Sequence, residues 1–167
     1  DLYTEAFTHS SMLEGDKMGL SSNERLEFLG DSALDLVVAS FVYRSFPDEQ
    51  EGPLTQRKSK IVSRETLNWV GEKMQLRPLI QTKMRKVDVH ATIVGNTLEA
   101  LIGSIYLDHG YEKMSKAVIR MLKRYGVDYK VQETIDFKSK LYLWGQREKA
   151  SLSFEVIREY HVHGKAC

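Results

Sequence analysis

The sequence predicts an all-α helical bundle followed by a short α–β piece, and three observations carry that expectation. Only three prolines, Pro47, Pro53 and Pro78, interrupt the 167 residues. Between them the apolar residues recur at helical rather than alternating spacing. From Val127 onward the character changes: a helical pattern over Phe137 to Gln146 gives way to Ser151-Leu152-Ser153-Phe154-Glu155-Val156, which alternates with period two as a strand does.

Taken in order, the pattern gives a first helix ending near Ser10, a polar loop from Glu14 to Ser22, and a long helix from about Asn23 to Phe46. A turn rich in Pro, Asp, Glu and Gly then carries the chain to Pro53. Further helices are predicted over Thr55 to Lys73, Val89 to His109 and Tyr111 to Tyr125, with a basic loop at Lys83 to Asp88. One strand after one helix finds no partner strand in the residues that follow, so the tail reads as a domain cut short. The missing initiator Met points the same way, to a start inside a longer protein. No repeat of 20 to 50 residues is visible, which argues against a solenoid.

Composition narrows the class. With 42% hydrophobic and 28% charged residues, the chain can bury one core and is not a disordered tail. Its 24 Lys+Arg against 23 Asp+Glu leave a net charge of +1, so any nucleic-acid role must come from where the charges sit. A single cysteine, Cys167, excludes an internal disulfide and a cysteine-rich metal site, and fits a reducing, cytoplasmic setting. No apolar run approaches the roughly 18 residues needed to cross a bilayer, and no signal peptide is evident, so no membrane association is expected.

On the long helix, at about 100° per residue, Glu24, Glu27 and Asp31 share one stripe, with Leu26, Leu29, Ala33, Leu36 and Val37 assigned to the opposite side. Like charges so spaced destabilise a helix by roughly 0.2–0.5 kcal/mol per pair. A solvated face laced with salt bridges would carry Lys or Arg at i±3 or i±4 of each acid, and none is there. Asp35 lies a turn further along and is expected to be merely solvated. Phe28 falls beside Glu24, away from the apolar stripe; an interface anchor and a ring packed under a loop are both open to it. On the helix over Val89 to His109, Asn96 and Glu99 stand at i and i+3, with Gly95 before them and Gly103 continuing their line. Gly30 and Gly103 each cost a helix roughly 1 kcal/mol relative to Ala, and close helix-to-helix approach is the usual reason to keep them. The two helices are therefore expected to pack closely and bring their oxygen ligands together. Carboxylates plus a carboxamide form a hard oxygen set suited to Mg²⁺, or Mn²⁺ in its place, rather than Zn²⁺.

A basic counterpart accompanies this set. Arg57, Lys60 and Arg64 repeat the i, i+3, i+7 spacing, and Lys83, Arg85 and Lys86 cluster in the predicted loop. Separate acidic and basic patches would give the near-zero net charge, and phosphodiester hydrolysis uses both: divalent metal at the reacting phosphate and cations to hold the polyanion.

At this point a resemblance is plain. Asn23-Glu24-Arg25-Leu26-Glu27-Phe28-Leu29-Gly30-Asp31-Ser32-Ala33-Leu34 resembles the signature of the ribonuclease III family. Further agreement in order and spacing comes from Thr8-His9-Ser10-Ser11, Leu54-Thr55 through Ile61-Val62, Gly95-Asn96 with Leu98-Glu99-Ala100-Leu101-Ile102-Gly103, and Ile105-Tyr106-Leu107-Asp108. The resemblance implies a nearly whole endonuclease domain over residues 1–127, a linker over 128–135, and over 136–167 the incomplete start of a double-stranded RNA-binding domain. It implies a cytoplasmic homodimer, with no organic cofactor, that cuts double-stranded RNA with Mg²⁺ in rRNA and mRNA processing. The products would carry 5′-phosphates and short 3′ overhangs.

By motif position, the resemblance makes Glu27, Asp31 and Glu99 catalytic metal ligands, puts Asn96 in the fourth position, and makes Glu24 an accessory acid of the dimer cleft. Phe28 matches the aromatic that inserts into the partner subunit. Lys58 replaces the family's usual Arg and joins Arg57, Lys60, Arg64, Lys83, Arg85 and Lys86 as an RNA-binding candidate. The family usually has Asp where this chain has Asn96, which removes one negative charge and should weaken metal binding. A domain of this family that has lost catalysis and serves as an RNA-binding scaffold is the alternative. A di-iron carboxylate bundle is disfavoured, because none of the five histidines has Glu three residues before it. His9 is expected to play a structural hydrogen-bonding role, and Trp69 and Trp144 are expected in the core.

Overall fold

The computed structural model describes residues 1–13, 21–83, 92–127, 141, 144–145, 147–150, 161–162 and 165–166. The chain divides into two compact units, Asp1–Thr134 and Ile135–Cys167. In the first, α1 is Leu2–Ala6, α2 Glu24–Ser45, α3 Glu51–Ile61, α4 Arg64–Lys73 and α5 Thr92–Arg124. Short 3-10 turns cover Ser10–Leu13 and Arg77–Leu79. Among its described residues the first unit is built of helices, with one isolated bridge between Thr8 and Gln81, as the apolar spacing predicts.

Several boundaries differ from expectation for identifiable reasons. α1 begins at the Asp1 cap, whose carboxylate accepts from the Thr4 N–H at 2.8 Å, and stops at Ala6 rather than near Ser10. The chain turns there into a clasp. The Gln81 N–H donates to the Phe7 carbonyl at 2.8 Å, the His9 N–H to the Gln81 carbonyl at 3.0 Å, and the Asn23 N–H to the Thr8 carbonyl at 2.9 Å. The Ser11 hydroxyl adds contacts to the Thr82 hydroxyl at 3.0 Å and from the Lys83 N–H at 3.1 Å. His9 Nδ1 accepts from the Ser11 N–H at 3.1 Å, the structural role expected of it.

The single helix predicted over 55–73 is two helices. Ser63 has an extended backbone, and its hydroxyl accepts from the Thr66 N–H at 3.2 Å, starting α4 afresh. α3 begins earlier than expected, at Glu51, because Pro53 lies in the first turn, where a helix needs no N–H donor. α5 is broken at Gly110, whose φ of 76° suits a residue without a Cβ, at the junction the sequence places between its last two helices.

The core draws on Leu34, Val37, Val38 and Val42 from α2, Ile61 from α3, Leu67 and Val70 from α4, and Val94, Leu98, Ile102, Met114, Val118 and Leu122 from α5. On α2 the buried arc turns from Ala33 through Leu26 and Gly30 to Val42, so Leu36, assigned to the apolar side, is left 58% exposed. Trp69 packs against this core, whereas Trp144, also expected inside, is 52% exposed. In the second unit, β1 (His161–Val162) pairs antiparallel with β2 (Lys165–Ala166), two short strands that the alternation pattern does not pick out. The strand expected at Ser151 to Val156, the linker over 128–135 and most of the helix over 137–146 lie outside the described residues.

α2 and α5 meet backbone to backbone. A Cβ on Gly30 would overlap the Glu99 carbonyl oxygen and lie 2.6 Å from its carbon; a Cβ on Gly103 would overlap the Leu26 carbonyl oxygen. Gly30→Ala and Gly103→Ala are each expected to destabilise the domain by about 3 kcal/mol or more, because backbone on both sides must move. Gly52, with nothing near its Cβ position, should accept Ala within about 0.5 kcal/mol; thermal unfolding of the three variants checks the contrast.

Candidate active site: an acidic cluster between two helices

The glycine contact sets the level at which the two helices face each other. Glu99, whose backbone lies against Gly30, is carried to the stretch of α2 between Glu27 and Asp31. Glu27 and Glu99 are half-buried, Asp31 and Glu24 exposed. The Asn96 carboxamide hydrogen-bonds to the Glu27 carboxylate. Four of the residues singled out from sequence, two from each helix, therefore form one cluster.

Its electrostatics reflect crowding. Burial, and then the charges of Asp31, Glu27 and Asp35, push the Glu99 carboxyl up to about 7, with Arg64 opposing. Burial also raises Glu27; the Asn96 hydrogen bond and Arg64 work against the rise, and the charges of Glu24 and Asp31 add to it. These carboxylates repel one another across the helix interface. Among the described residues, no group of three or more His, Cys, Asp or Glu side chains is gathered closely enough to hold a metal ion. The donor set is nonetheless of the right kind: three carboxylates and a carboxamide, all hard oxygens, whose shared field is strongly negative.

Two neighbours escaped the local spacing argument. Arg64, the first residue of α4, acts on both Glu27 and Glu99, although no cation stands near them on their own helices. Asp35 is not merely solvated: Lys58 Nζ donates to its Oδ2 at 2.6 Å, so Lys58 is brought to the margin of the cluster. Neither pairing has a signal in periodicity, because each joins two elements. Glu24 accepts from the Ser22 hydroxyl at 3.1 Å at the start of α2.

The basic row does not survive as drawn. Arg57 is only 4% exposed. It makes a two-pronged pair with Glu49, at 2.7 Å from Nε and 2.6 Å from Nη2, and lies 3.8 Å above the centre of the Phe46 ring. It fastens the α2–α3 turn and is not a phosphate ligand. The Ser63 break also takes Arg64 off the helix that carries Lys60, so the i, i+3, i+7 row is not one face; both residues are exposed. Lys83 is exposed at the end of the clasp, and Arg85 and Lys86 lie outside the described residues. Phe28 is 77% exposed and, with Leu2, Leu29 and Leu107, lines an open recess of about 680 Å³. Among the described residues no helix is long and apolar enough to cross a membrane.

The raised Glu99 carboxyl fixes the sign of a pH effect. Between about pH 4.5 and 7 the folded protein keeps a proton that the unfolded chain has released, so stability falls as pH rises through that window and is lowest above it. In divalent-free buffer, Glu99→Gln should flatten the decline of melting temperature over pH 4.5–7 and leave the variant more stable than the parent at pH 8. Arg57→Ala should cost about 3 kcal/mol, because it strands Glu49 in a largely buried position, while Lys60→Ala should leave the melting temperature unchanged within a degree or two.

Comparison with known proteins identifies the family. The sequence profile described as Ribonuclease-III-like matches residues 1–125. The protein is 41% identical over 165 residues to Ribonuclease 3 of Bacteroides thetaiotaomicron, covering 97% of this chain and 53% of that protein. It is 41% identical over 162 residues to Ribonuclease 3 of Azobacteroides pseudotrichonymphae, covering 95% and 62%. The chain thus spans between half and two thirds of the length of these relatives. Among solved structures, the nuclease domain of ribonuclease III from Campylobacter jejuni, in a study of flexibility in its dimer-forming region, superposes with a TM-score of 0.66 at 30% identity, covering 74% of this chain and 85% of that one. With the profile spanning three quarters of its residues, and acids on α2 and α5 brought together at the signature motif, the chain belongs to the ribonuclease-III-like family.

Proposed function

We propose that the first unit is the nuclease domain of an endoribonuclease that hydrolyses double-stranded RNA with Mg²⁺, Mn²⁺ being a substitute. The observation that carries this reading is the meeting of Glu27 and Asp31 from α2 with Asn96 and Glu99 from α5 across a contact that admits no side chain at Gly30 or Gly103. Glu27, Asp31, Glu99 and Asn96 would hold the ion, which when bound supplies an activated water and stabilises charge on the leaving oxygen. The protein's own residues do the rest. Asn96 ties down Glu27, and Arg64 offsets part of the acid–acid repulsion. Exposed cations, Lys60, Arg64 and Lys83, meet phosphates, while Lys58 is held by Asp35 at the edge of the acids. Asn96 contributes an oxygen but no charge, which raises the metal requirement without emptying the donor set.

The same reading includes a homodimer in which the exposed Phe28 and its recess meet a second copy, with Glu24 lining the cleft so formed. It also includes 5′-phosphate products with short 3′ overhangs, action on rRNA and mRNA precursors, and a cytoplasmic location. A second reading, a scaffold that binds RNA without cutting it, is favoured by one residue only, Asn96.

Cleavage of a long RNA duplex titrated with Mg²⁺ and Mn²⁺ separates the two. The parent should cut, Asn96→Asp should lower the half-saturating Mg²⁺ concentration by about tenfold, and Glu99→Gln should reduce the rate at least about a hundredfold. A parent inert at every metal concentration, beside an Asn96→Asp variant that cuts, would establish the scaffold instead.

A further inference from the structure

Beyond the Gly110 break, α5 changes character. From Tyr111 to Val127 the chain holds five cations, Lys113, Lys116, Arg120, Lys123 and Arg124, against one carboxylate, Glu112, a surplus of four. Since the whole chain carries +1, everything outside this segment sums to −3. All five cations are exposed. At 100° per residue they fall within a sector of about 100°, opposite Met114, Val118 and Leu122, which are buried in the core, and they extend for about 16 Å along the axis.

The row is also largely unneutralised. Its one ion pair among the described residues joins Lys116 to Glu112 at 3.8 Å, between side chains 76% and 86% exposed, a geometry worth little in water. Packing does not require the charges, and the i, i+3 and i+4 spacings set them against one another at roughly 0.2–0.5 kcal/mol per pair. Such an array suits a polyanion. A continuous nucleic-acid backbone fits better than a single phosphate, because the cations are strung along an axis and do not converge on a point.

The chemistry also selects the form of the nucleic acid. Single-strand binders interleave their cations with aromatic side chains on which bases stack. Here the row has none: Tyr111 and Tyr125, the aromatics of the segment, project away from the cationic sector, and Tyr125 packs against the core. Backbone contact without stacking is how duplex RNA is held.

We propose that the Lys113–Arg124 face of α5 is a second, sequence-independent binding surface for the phosphate backbone of duplex RNA, separate from the acidic cluster. The proposal rests on the reading of the domain as a duplex-RNA nuclease. It gives the 167-residue chain a basic track that does not depend on Arg57.

The test is the salt dependence of binding to a 30-base-pair RNA duplex by the 167-residue chain, measured without divalent metal so that no cleavage intervenes. Lys116→Gln/Arg120→Gln should lower the slope of log K against log[salt] by about 1.5–2 and weaken binding about tenfold or more at moderate salt. Arg44→Gln/Lys73→Gln, which removes the same charge elsewhere on the surface, should leave the slope within about 0.5 of the parent. Lys116→Arg/Arg120→Lys should restore it, and a single strand of equal length should compete poorly. Equal losses from the two neutralised pairs would overturn the proposal in favour of a net-charge effect, and an unchanged slope in Lys116→Gln/Arg120→Gln would overturn it outright. So would preferential loss of single-strand binding. A parent that neither retains the duplex nor cuts it with Mg²⁺ would instead remove the nuclease reading itself, whereas a parent that cuts while the slope stays unchanged removes this inference alone.

Discussion

The contact between the backbones of α2 and α5 is the constraint on which the rest of the structure depends. Without side chains at Gly30 and Gly103, the Glu99 carbonyl and the Leu26 carbonyl lie where Cβ atoms would otherwise stand. Moving the helices apart by the width of a methyl group would relieve the crowding of Glu27, Asp31 and Glu99 and let water in among them. The same closeness that buries Leu26, Leu34 and Leu98 thus buries part of the charged cluster, and the core and the site cannot be optimised separately. The raised Glu99 carboxyl reports this conflict directly, since desolvation leads its causes and neighbouring carboxylates follow.

That conflict gives meaning to the placement of positive charge. A cluster fully neutralised by lysines and arginines would be comfortable and inert. Here one arginine, Arg64, reaches the acids from a neighbouring helix, and Lys58 is engaged by Asp35 at the edge. The compensation is partial, and the Glu99 carboxyl stays raised in spite of it. Asn96 moderates the excess: its carboxamide lends Glu27 a hydrogen bond and adds no negative charge of its own. Acids gathered at one end of α5 and bases exposed at the other give the protein its near-neutral total.

Much of this was legible because helical period is a local property. The long signature helix, the facing helix with Asn96 and Glu99 and the place of Phe28 off the apolar stripe follow from 100° per residue, and the close approach at Gly30 and Gly103 from the cost of glycine inside a helix. What was not legible depended on partners from other elements. Arg57 has the spacing of a surface cation, yet Glu49, eight residues back across a turn, and the Phe46 ring draw it inside. Leu36 has the spacing of a core residue, but the buried arc of α2 drifts round the helix as its neighbours change, and leaves it outside. The break at Ser63 did have a signal, a capping hydroxyl ahead of Glu65 and Thr66, which the unbroken apolar period on either side obscured.

The clasp near the chain's beginning has a consequence for the order of assembly. Phe7 and His9 bond to Gln81, and Thr8 to Asn23, so one short segment ties the entrance of α2 to the stretch that follows α4. Most of the helical hydrogen bonds form between near neighbours and can appear early, but the ties to Gln81 close a loop of about seventy residues and must wait for the chain to fold back on itself. The acidic cluster has the same requirement, since Glu27 and Glu99 are equally remote in sequence. Repulsion between Glu99 and the carboxylates of α2 therefore arises only when the two helices meet, whereas that between Glu27 and Asp31 is present as soon as α2 forms.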